Sequence, residues 1–258
     1  LLNQGMIQGS SRFVYRINGT NTFVSKGYLD AEDMYQGKKT DKLHVDVNMV
    51  DGYRLDIEKF RQWRNGEFVE ADFILEEGAY LCGAEVEKMS KSKFNTVNPD
   101  DIVEQYGADT FRMYEMFLGP VELSKPWDTK GIEGVHRFLK KLWRLFYDEV
   151  KGKVWVNDEP VEAEWKVLHK TIKKIDEDTR RFSFNTAVSS LMIAVNELLE
   201  LKCHKKSILE SLLILITPYA PHIAEELWHQ LGHKDSILNA GYPTYEERFL
   251  IETSKLYP

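Results

Sequence analysis

From Asp128 onward the apolar positions of this chain fall three and four residues apart. Val135, Phe138, Leu139, Leu142, Leu145 and Phe146 make one face and Arg137, Lys140, Lys141 and Arg144 another, the pattern of a helix that buries one side. The same spacing predicts further helices over 162–181, 185–202, 205–217 and 220–231, with Lys151 to Pro160 the longest break among them. Several antiparallel helices with short connections make a bundle. Upstream the period changes to two. Leu43, Val45, Val47 and Met49 alternate with His44, Asp46 and Asn48, which predicts a strand with one buried face, and Asp51-Gly52 follows as a turn. Phe68 to Leu75 reads as another strand, turned by Glu76-Glu77-Gly78, and Asn18-Gly19 predicts a hairpin between Phe13–Ile17 and Thr20–Val24. Residues 25–42 are polar and rich in Gly and Lys, the composition of a loop.

Between these regions, residues 86–97 carry no periodicity and read as an exposed loop. Asn98-Pro99-Asp100-Asp101 then starts a helix, with a capping side chain, a proline at the first helical position and two acids at the positive end of the dipole. Gly107 stops it, Ala108-Asp109 starts the next, and Gly119-Pro120 ends that one. The fold class expected is α+β, mostly α: a mixed, β-containing N-terminal part followed by an α-helical bundle. The chain opens Leu1-Leu2-Asn3 inside an apolar pattern, without an initiator Met, and closes at Leu256-Tyr257-Pro258 without a helix stop. Both ends read as cuts through a longer polypeptide.

Composition narrows the classes. Of 258 residues, 43% are hydrophobic and 29% charged, which is globular composition, and six Trp, twelve Tyr and thirteen Phe can build a sizeable core. Cys82 and Cys203 are too few for a disulfide framework and fit a reducing cytosol. No apolar run reaches the roughly 18–20 residues of a membrane span; the longest, Ile208 to Ile216, is broken by Glu210 and Ser211. The net charge of −7 argues against indiscriminate coating of nucleic acid. Charge is nevertheless uneven: residues 136–206 hold 15 Lys/Arg against 11 Asp/Glu, so the basic excess lies on the predicted bundle.

The sharpest chemistry sits in the loop. Lys88-Met89-Ser90-Lys91-Ser92 places two ammonium groups and two hydroxyls just ahead of a helix. In nucleotidyl transfer, negative charge builds on the α-phosphate and the departing pyrophosphate. Mobile ammoniums stabilise it where it develops, and a flexible loop can close over a nucleotide and reopen. An arbitrary Lys/Ser pentamer is a solvated loop. This one matches all five positions of a known signature, with chance odds on the order of 10⁻⁴ in a chain this long.

With that pentamer the sequence resembles the class I aminoacyl-tRNA synthetases, whose second signature it is. Asn98-Pro99-Asp100-Asp101 and Tyr106-Gly107-Ala108-Asp109-Thr110-Phe111-Arg112 look like the segment after the signature in the leucine, valine and isoleucine enzymes. Lys125-Pro126-Trp127-Asp128 with Gly131-Ile132-Glu133-Gly134-Val135-His136-Arg137-Phe138-Leu139 resembles the leucyl branch in particular. Thr217-Pro218-Tyr219-Ala220-Pro221-His222-Ile223-Ala224-Glu225-Glu226-Leu227-Trp228 looks like a late helix of that branch's bundle, and Leu2-Asn3-Gln4-Gly5-Met6 like the end of its catalytic core. The resemblance covers 1–17 and 85–258 and is weakest over 18–84. It divides the chain into the end of a Rossmann-like catalytic core (1–17), a variable β-rich insertion (18–84), a signature-loop and stem-contact region (85–126) and an anticodon-binding-type helical bundle (127–258).

The resemblance implies an ATP-dependent ligase that activates leucine as an adenylate and transfers it to leucine-accepting tRNA. It implies ATP with Mg2+, a cytoplasmic enzyme, a monomeric habit and no membrane partner. Lys91 and Lys88 become the catalytic candidates, and Lys88, Met89, Ser90, Lys91 and Ser92 the ATP-binding loop. Met89 reads as an anchor, while Ser90 and Ser92 either hydrogen-bond phosphate or shape the loop. Arg137, Lys140, Lys141 and Arg144 become candidates for tRNA contact, against the bland reading of a solvated face with Glu133 paired to Arg137. Arg180-Arg181, Lys202, Lys205 and Lys206 are weaker candidates for the same surface.

The departures bound the claim. The first class I signature, His-x-Gly-His, is absent around all seven histidines. The leucine pocket and the editing domain, by resemblance, lie upstream, so the chain alone is expected to be inactive. No metal ligand set is identifiable: His229 and His233 are four apart, but Gly232 intervenes and a third ligand is lacking. Trp127, Trp143, Trp165 and Trp228 read as core. The rivals are a valyl or isoleucyl fragment, a free-standing tRNA-binding module, and a helical scaffold without RNA.

Overall fold

The alternating residues of the N-terminal part build a sheet around one long strand. The computed structural model describes residues 3–251; Leu1, Leu2 and 252–258, and with them both ends that read as cuts, lie outside the described residues. The described residues form two compact units, one of Gly5–Asn98 with Ser124–Trp127, the other gathering Asn3, Gln4, Pro99–Leu123 and residues 128–251.

In the first unit the elements are β1 (Ile7–Ile17), β2 (Thr22–Val24), β3 (Thr40–Val45), the short hairpin β4 (Val50–Asp51) and β5 (Arg54–Leu55), α1 (Ile57–Gly66), β6 (Asp72–Ile74), β7 (Gly83–Lys88) and β8 (Lys125–Pro126). The N-terminal half of β1 pairs antiparallel with β7, from Gln8↔Lys88 to Phe13↔Gly83. Its C-terminal half pairs with β3, from Arg12↔Val45 to Ile17↔Thr40, and with β2 through the expected Asn18-Gly19 hairpin. β6 adds in parallel to β2, and β8 in parallel to the start of β1. Alternate residues of β1 therefore face two cores. Val14 joins Phe23, Phe60, Phe68 and Tyr80, whereas Phe13, Tyr15 and Ile17 join Val24. The buried Tyr80 phenol ties the layers, donating to the Val24 carbonyl (2.8 Å) and accepting from the Tyr15 amide (3.0 Å).

Two segments read as loop are partly strand, since Thr40–Lys42 open β3 and Val86–Lys88 close β7, drawn into the sheet by pairing with β1, and three more expectations change. The alternation over 43–49 stops at Val45, because the Asp46 carboxylate accepts from the Asn48 amide (2.9 Å) and winds Val47–Met49 into a single tight turn. Only Asp72–Ile74 of the expected 68–75 strand is a strand. Phe68 reaches the core from a turn, stacked on Phe60 at 4.5 Å. Helix α1 is not among the expected elements; its signal was Asp56, which caps it by accepting from the Lys59 amide (3.1 Å), ahead of Ile57 and Phe60.

The second unit is helical, as expected: α2 (Pro99–Tyr106), α3 (Ala108–Phe117), α4 (Thr129–Arg144), α5 (Glu162–Arg180), α6 (Phe184–Glu200), α7 (Lys206–Ile216) and α8 (Pro221–Gln230). Gly107, at φ 88°, breaks α2 from α3 in a conformation that glycine adopts without steric cost. Between α4 and α5 the chain makes a small hairpin, β9 (Tyr147–Asp148) with β10 (Gly152–Lys153). Ile132, Val135, Phe138, Leu139 and Leu142 bury one face of α4, so its cations stand on the other. No helix among the described residues is long and apolar enough to cross a membrane.

Both cysteines are buried, and burial pushes each thiol up to about 12. The thiolate is the reactive form, so at mildly alkaline pH neither should react with a disulfide reagent in the folded chain, while both should react in urea. Rapid labelling of Cys82 or Cys203 in the native chain would contradict this packing.

Candidate functional site

The pentamer of interest is held at the end of β7. Lys88 is the last residue of the β1–β7 ladder, paired with Gln8. Met89 follows, half-buried, and Ser90 is extended (φ −155°, ψ 140°) and caps a one-turn 3₁₀ helix over Lys91–Lys93. The Ser90 hydroxyl accepts from the Ser92 amide (3.3 Å) and lies 2.7 Å from the Ser92 hydroxyl. Both serines therefore shape the turn.

The turn hangs on one side chain that the sequence did not single out. Asn95 is 1% exposed. Its carboxamide oxygen accepts from the Ser90 amide (2.9 Å); its nitrogen donates to the Ser11 hydroxyl (2.8 Å) and the Lys88 carbonyl (3.3 Å). One buried group thus joins β1, the end of β7 and the first residue of the turn. Gly9 makes room: a Cβ there would lie 2.5 Å from the Asn95 carbonyl oxygen.

Phe94, between turn and pin, adopts the left-handed conformation (φ 52°, ψ 31°) that most residues avoid. Segments of residues 18–84 hold it there. Its carbonyl accepts from the Val47 amide (3.1 Å), its ring meets Trp63 edge-on at 4.9 Å, and the Arg64 guanidinium lies 5.4 Å from its centroid.

The three lysines of the turn divide by partner. Lys93 donates to Glu87 (2.6 Å), whose other oxygen lies 2.9 Å from His44 Nε2. Lys93 first, then Ser11 and His44, hold the Glu87 carboxyl down at about 2. Among the described residues the Lys88 and Lys91 side chains are exposed and enter no ion pair. Two uncommitted ammoniums three residues apart, on a turn anchored at one end, form an arrangement that can stabilise charge developing on a polyphosphate.

On α4 the four predicted cations share an exposed face. Arg137 lies 3.9 Å from Glu133, a weak exposed pair. Lys141 donates to Asn196 (2.8 Å), and Lys140 and Arg144 enter no ion pair among the described residues. The weaker candidates are more committed: Arg180 pairs with Asp176 at 3.0 Å, Lys205 with Asp158 at 3.3 Å and Lys206 with Glu210 at 3.7 Å. His229 pairs with Glu225 (3.1 Å), and His233 pairs with Glu210 and stacks on Trp228. Trp127 and Trp228 are core, as expected, but Trp143 is 40% exposed.

Residues 76–124 match the family model described as tRNA synthetases class I (I, L, M and V), and residues 164–256 match that of the anticodon-binding domain of tRNA ligase. The chain is similar along its whole length to the leucine--tRNA ligase of Cytophaga hutchinsonii (59% identical) and that of Parabacteroides distasonis (58% identical). It spans about a quarter of such relatives, 27% and 26% of their lengths. Among solved structures, the ternary complex of Agrobacterium radiobacter K84 agnB2 LeuRS with tRNA and LeuAMS is similar over 64% of this chain and 23% of that one, with 29% identity and a TM-score of 0.55.

Because Asn95 is buried with three partners, Asn95→Ala leaves the Ser90 amide without its acceptor, removes one donor from the Lys88 carbonyl and leaves the Ser11 hydroxyl with Glu87 alone. The first unit should lose roughly 1–3 kcal/mol in urea unfolding, and trypsin should cleave faster after Lys88 and Lys91. Unchanged stability together with an unchanged cleavage rate would remove Asn95 from this role.

Proposed function

We propose that the chain is part of a class I tRNA synthetase and that it supplies the ATP-phosphate-binding loop and part of the tRNA-binding surface of a leucine–tRNA ligase, a reading supported by the matched family models and relatives. The observation that carries the proposal is the anchored Lys88–Ser92 turn with its two ammoniums that enter no ion pair among the described residues. In the reaction proposed, the leucine carboxylate attacks the α-phosphate of ATP and pyrophosphate leaves. The terminal hydroxyl of the tRNA then attacks the acyl carbon and AMP leaves. The α-phosphate gains negative charge again as AMP leaves, but charge grows on the departing pyrophosphate in the first step only. Lys91 and Lys88 act there, each bringing a compact charge on a flexible stem that follows the phosphate as it departs.

Ser90 and Ser92 contribute by holding the turn, and Met89 by seating it. Magnesium would accompany the ATP phosphates and neutralise part of their charge. In this reading residues 1–17 close the catalytic core, 18–84 form the insertion that supports Phe94, 85–126 carry the loop and stem-contact segment, and 127–258 are the tRNA-binding bundle. The parent enzyme works in the cytoplasm as a monomer, and the leucine pocket and the other half of the ATP site lie outside this chain. Arg137, Lys140, Lys141 and Arg144 run along α4 at spacings of three and four, as a row that can follow a phosphate backbone.

Two substitutions test the two halves of the proposal. In the intact enzyme Lys91→Ala should slow leucine-dependent pyrophosphate exchange by orders of magnitude while tRNA binding barely changes; unaltered exchange sinks the role of Lys91. Arg137→Glu should weaken tRNA binding and lower the slope of log affinity against log salt by about one. A slope equal to that of the native chain would show that α4 does not meet the phosphates.

A further inference from the structure

A cavity of about 460 Å³ opens beside the basic row, within the helical unit. That lies in the roughly 300–1,000 Å³ range of small-ligand sites. His136, Leu139, Lys140 and Trp143 of α4 line it at spacings of three, four and seven, opposite Tyr106, Thr110, Asp109 and His222. Neither the anchored turn nor the phosphate-tracking reading of α4 uses it.

Its walls are fixed before any ligand arrives. Trp143, exposed though apolar, is stacked on Tyr147 at 4.8 Å and 15°, and Tyr147 donates its hydroxyl to Gln230 (2.9 Å). Tyr147 is not part of the lining and Trp143 is, so one face of the indole is backed and the ring still borders the cavity. His136 meets the Tyr106 ring edge-on at 5.8 Å and lies 3.4 Å from the Thr110 hydroxyl. Asp109 accepts from the His222 and Ile223 amides (3.2 and 2.7 Å) and from His222 Nδ1 (2.7 Å), which locks the polar wall to the start of α8. A rigid aromatic platform, a rim of hydrogen-bonding groups and the Lys140 ammonium, which enters no ion pair among the described residues, are the three things that a nucleotide outside a duplex presents partners for: base face, base edge and phosphate. The neighbouring cations on the same helix specify the polymer that would deliver it.

We propose that this cavity receives one unstacked nucleotide of the bound RNA, with its base on Trp143, its edge toward His136 and His222, and its phosphate at Lys140. The proposal rests on the reading of α4 as an RNA-binding helix and adds a site that grips a base, which a row of phosphate contacts does not.

The test compares Trp143→Ala, Trp143→Phe and Arg137→Glu in the full chain, titrated with a transcript of leucine-accepting tRNA at several salt concentrations. Base–aromatic stacking converts to a roughly 5- to 150-fold loss of affinity in Trp143→Ala, with the salt slope unchanged because no charge is removed. Trp143→Phe, which keeps a flat ring, should retain most of the affinity. Native affinity in Trp143→Ala alongside a lowered slope in Arg137→Glu overturns the nucleotide site and leaves the phosphate row standing. Native behaviour of both variants overturns the two together. A loss as large in Trp143→Phe as in Trp143→Ala overturns stacking as the source of affinity.

Discussion

The arrangement of the N-terminal unit depends on where one buried carboxamide finds its partners. Asn95 has three hydrogen bonds, to Ser90, Ser11 and Lys88, and a buried amide left without them costs more than the bonds themselves contribute. Its place on the chain therefore fixes the exit of β7, the pitch of the Lys91–Lys93 turn and the spacing between that turn and β1. Gly9 is required because the Asn95 backbone occupies the space of a Cβ. Phe94 accepts a left-handed backbone because its neighbours on both sides are already tied. The two candidate ammoniums are exposed at their tips and anchored at their bases, and a charge proposed to meet a moving phosphate needs both.

Charge pairing separates the cations that hold the protein together from those left for a ligand. Lys93 is spent on Glu87, and Arg180, Lys205 and Lys206 on carboxylates of their own. Lys88, Lys91, Lys140 and Arg144 enter no such pair among the described residues. A chain of net charge −7 thus presents positive charge at a turn and along one helix face, where polyphosphate and RNA backbone would be met. Acidity elsewhere disfavours adventitious binding.

The helical unit was legible almost to the residue, because a spacing of three and four over long stretches admits one reading: helices expected at 162–181, 185–202, 205–217 and 220–231 appear at Glu162–Arg180, Phe184–Glu200, Lys206–Ile216 and Pro221–Gln230. The β unit was legible less well. Its strands are short, and local capping overrides alternation where Asp46 turns the chain. The signature turn stood out in the sequence as a candidate, and its structural support did not. Nothing in the sequence distinguishes Asn95 from a loop asparagine, or Lys93 from its neighbours, until β1 and β3 bring Ser11 and His44 beside them. Trp143 reads as core on its apolar surroundings. Tyr147, four residues on and past the end of α4, backs it instead and leaves it exposed.

Amide hydrogen exchange across residues 88–95 of the intact enzyme, with and without ATP and leucine, tests the central claim most directly. The account predicts slow exchange at the pinned Ser90 amide in both states and new protection of Lys91, Ser92 and Lys93 when the nucleotide and leucine are present. Identical exchange of the whole turn in the two states would contradict it, because a turn that grips phosphates cannot be indifferent to them.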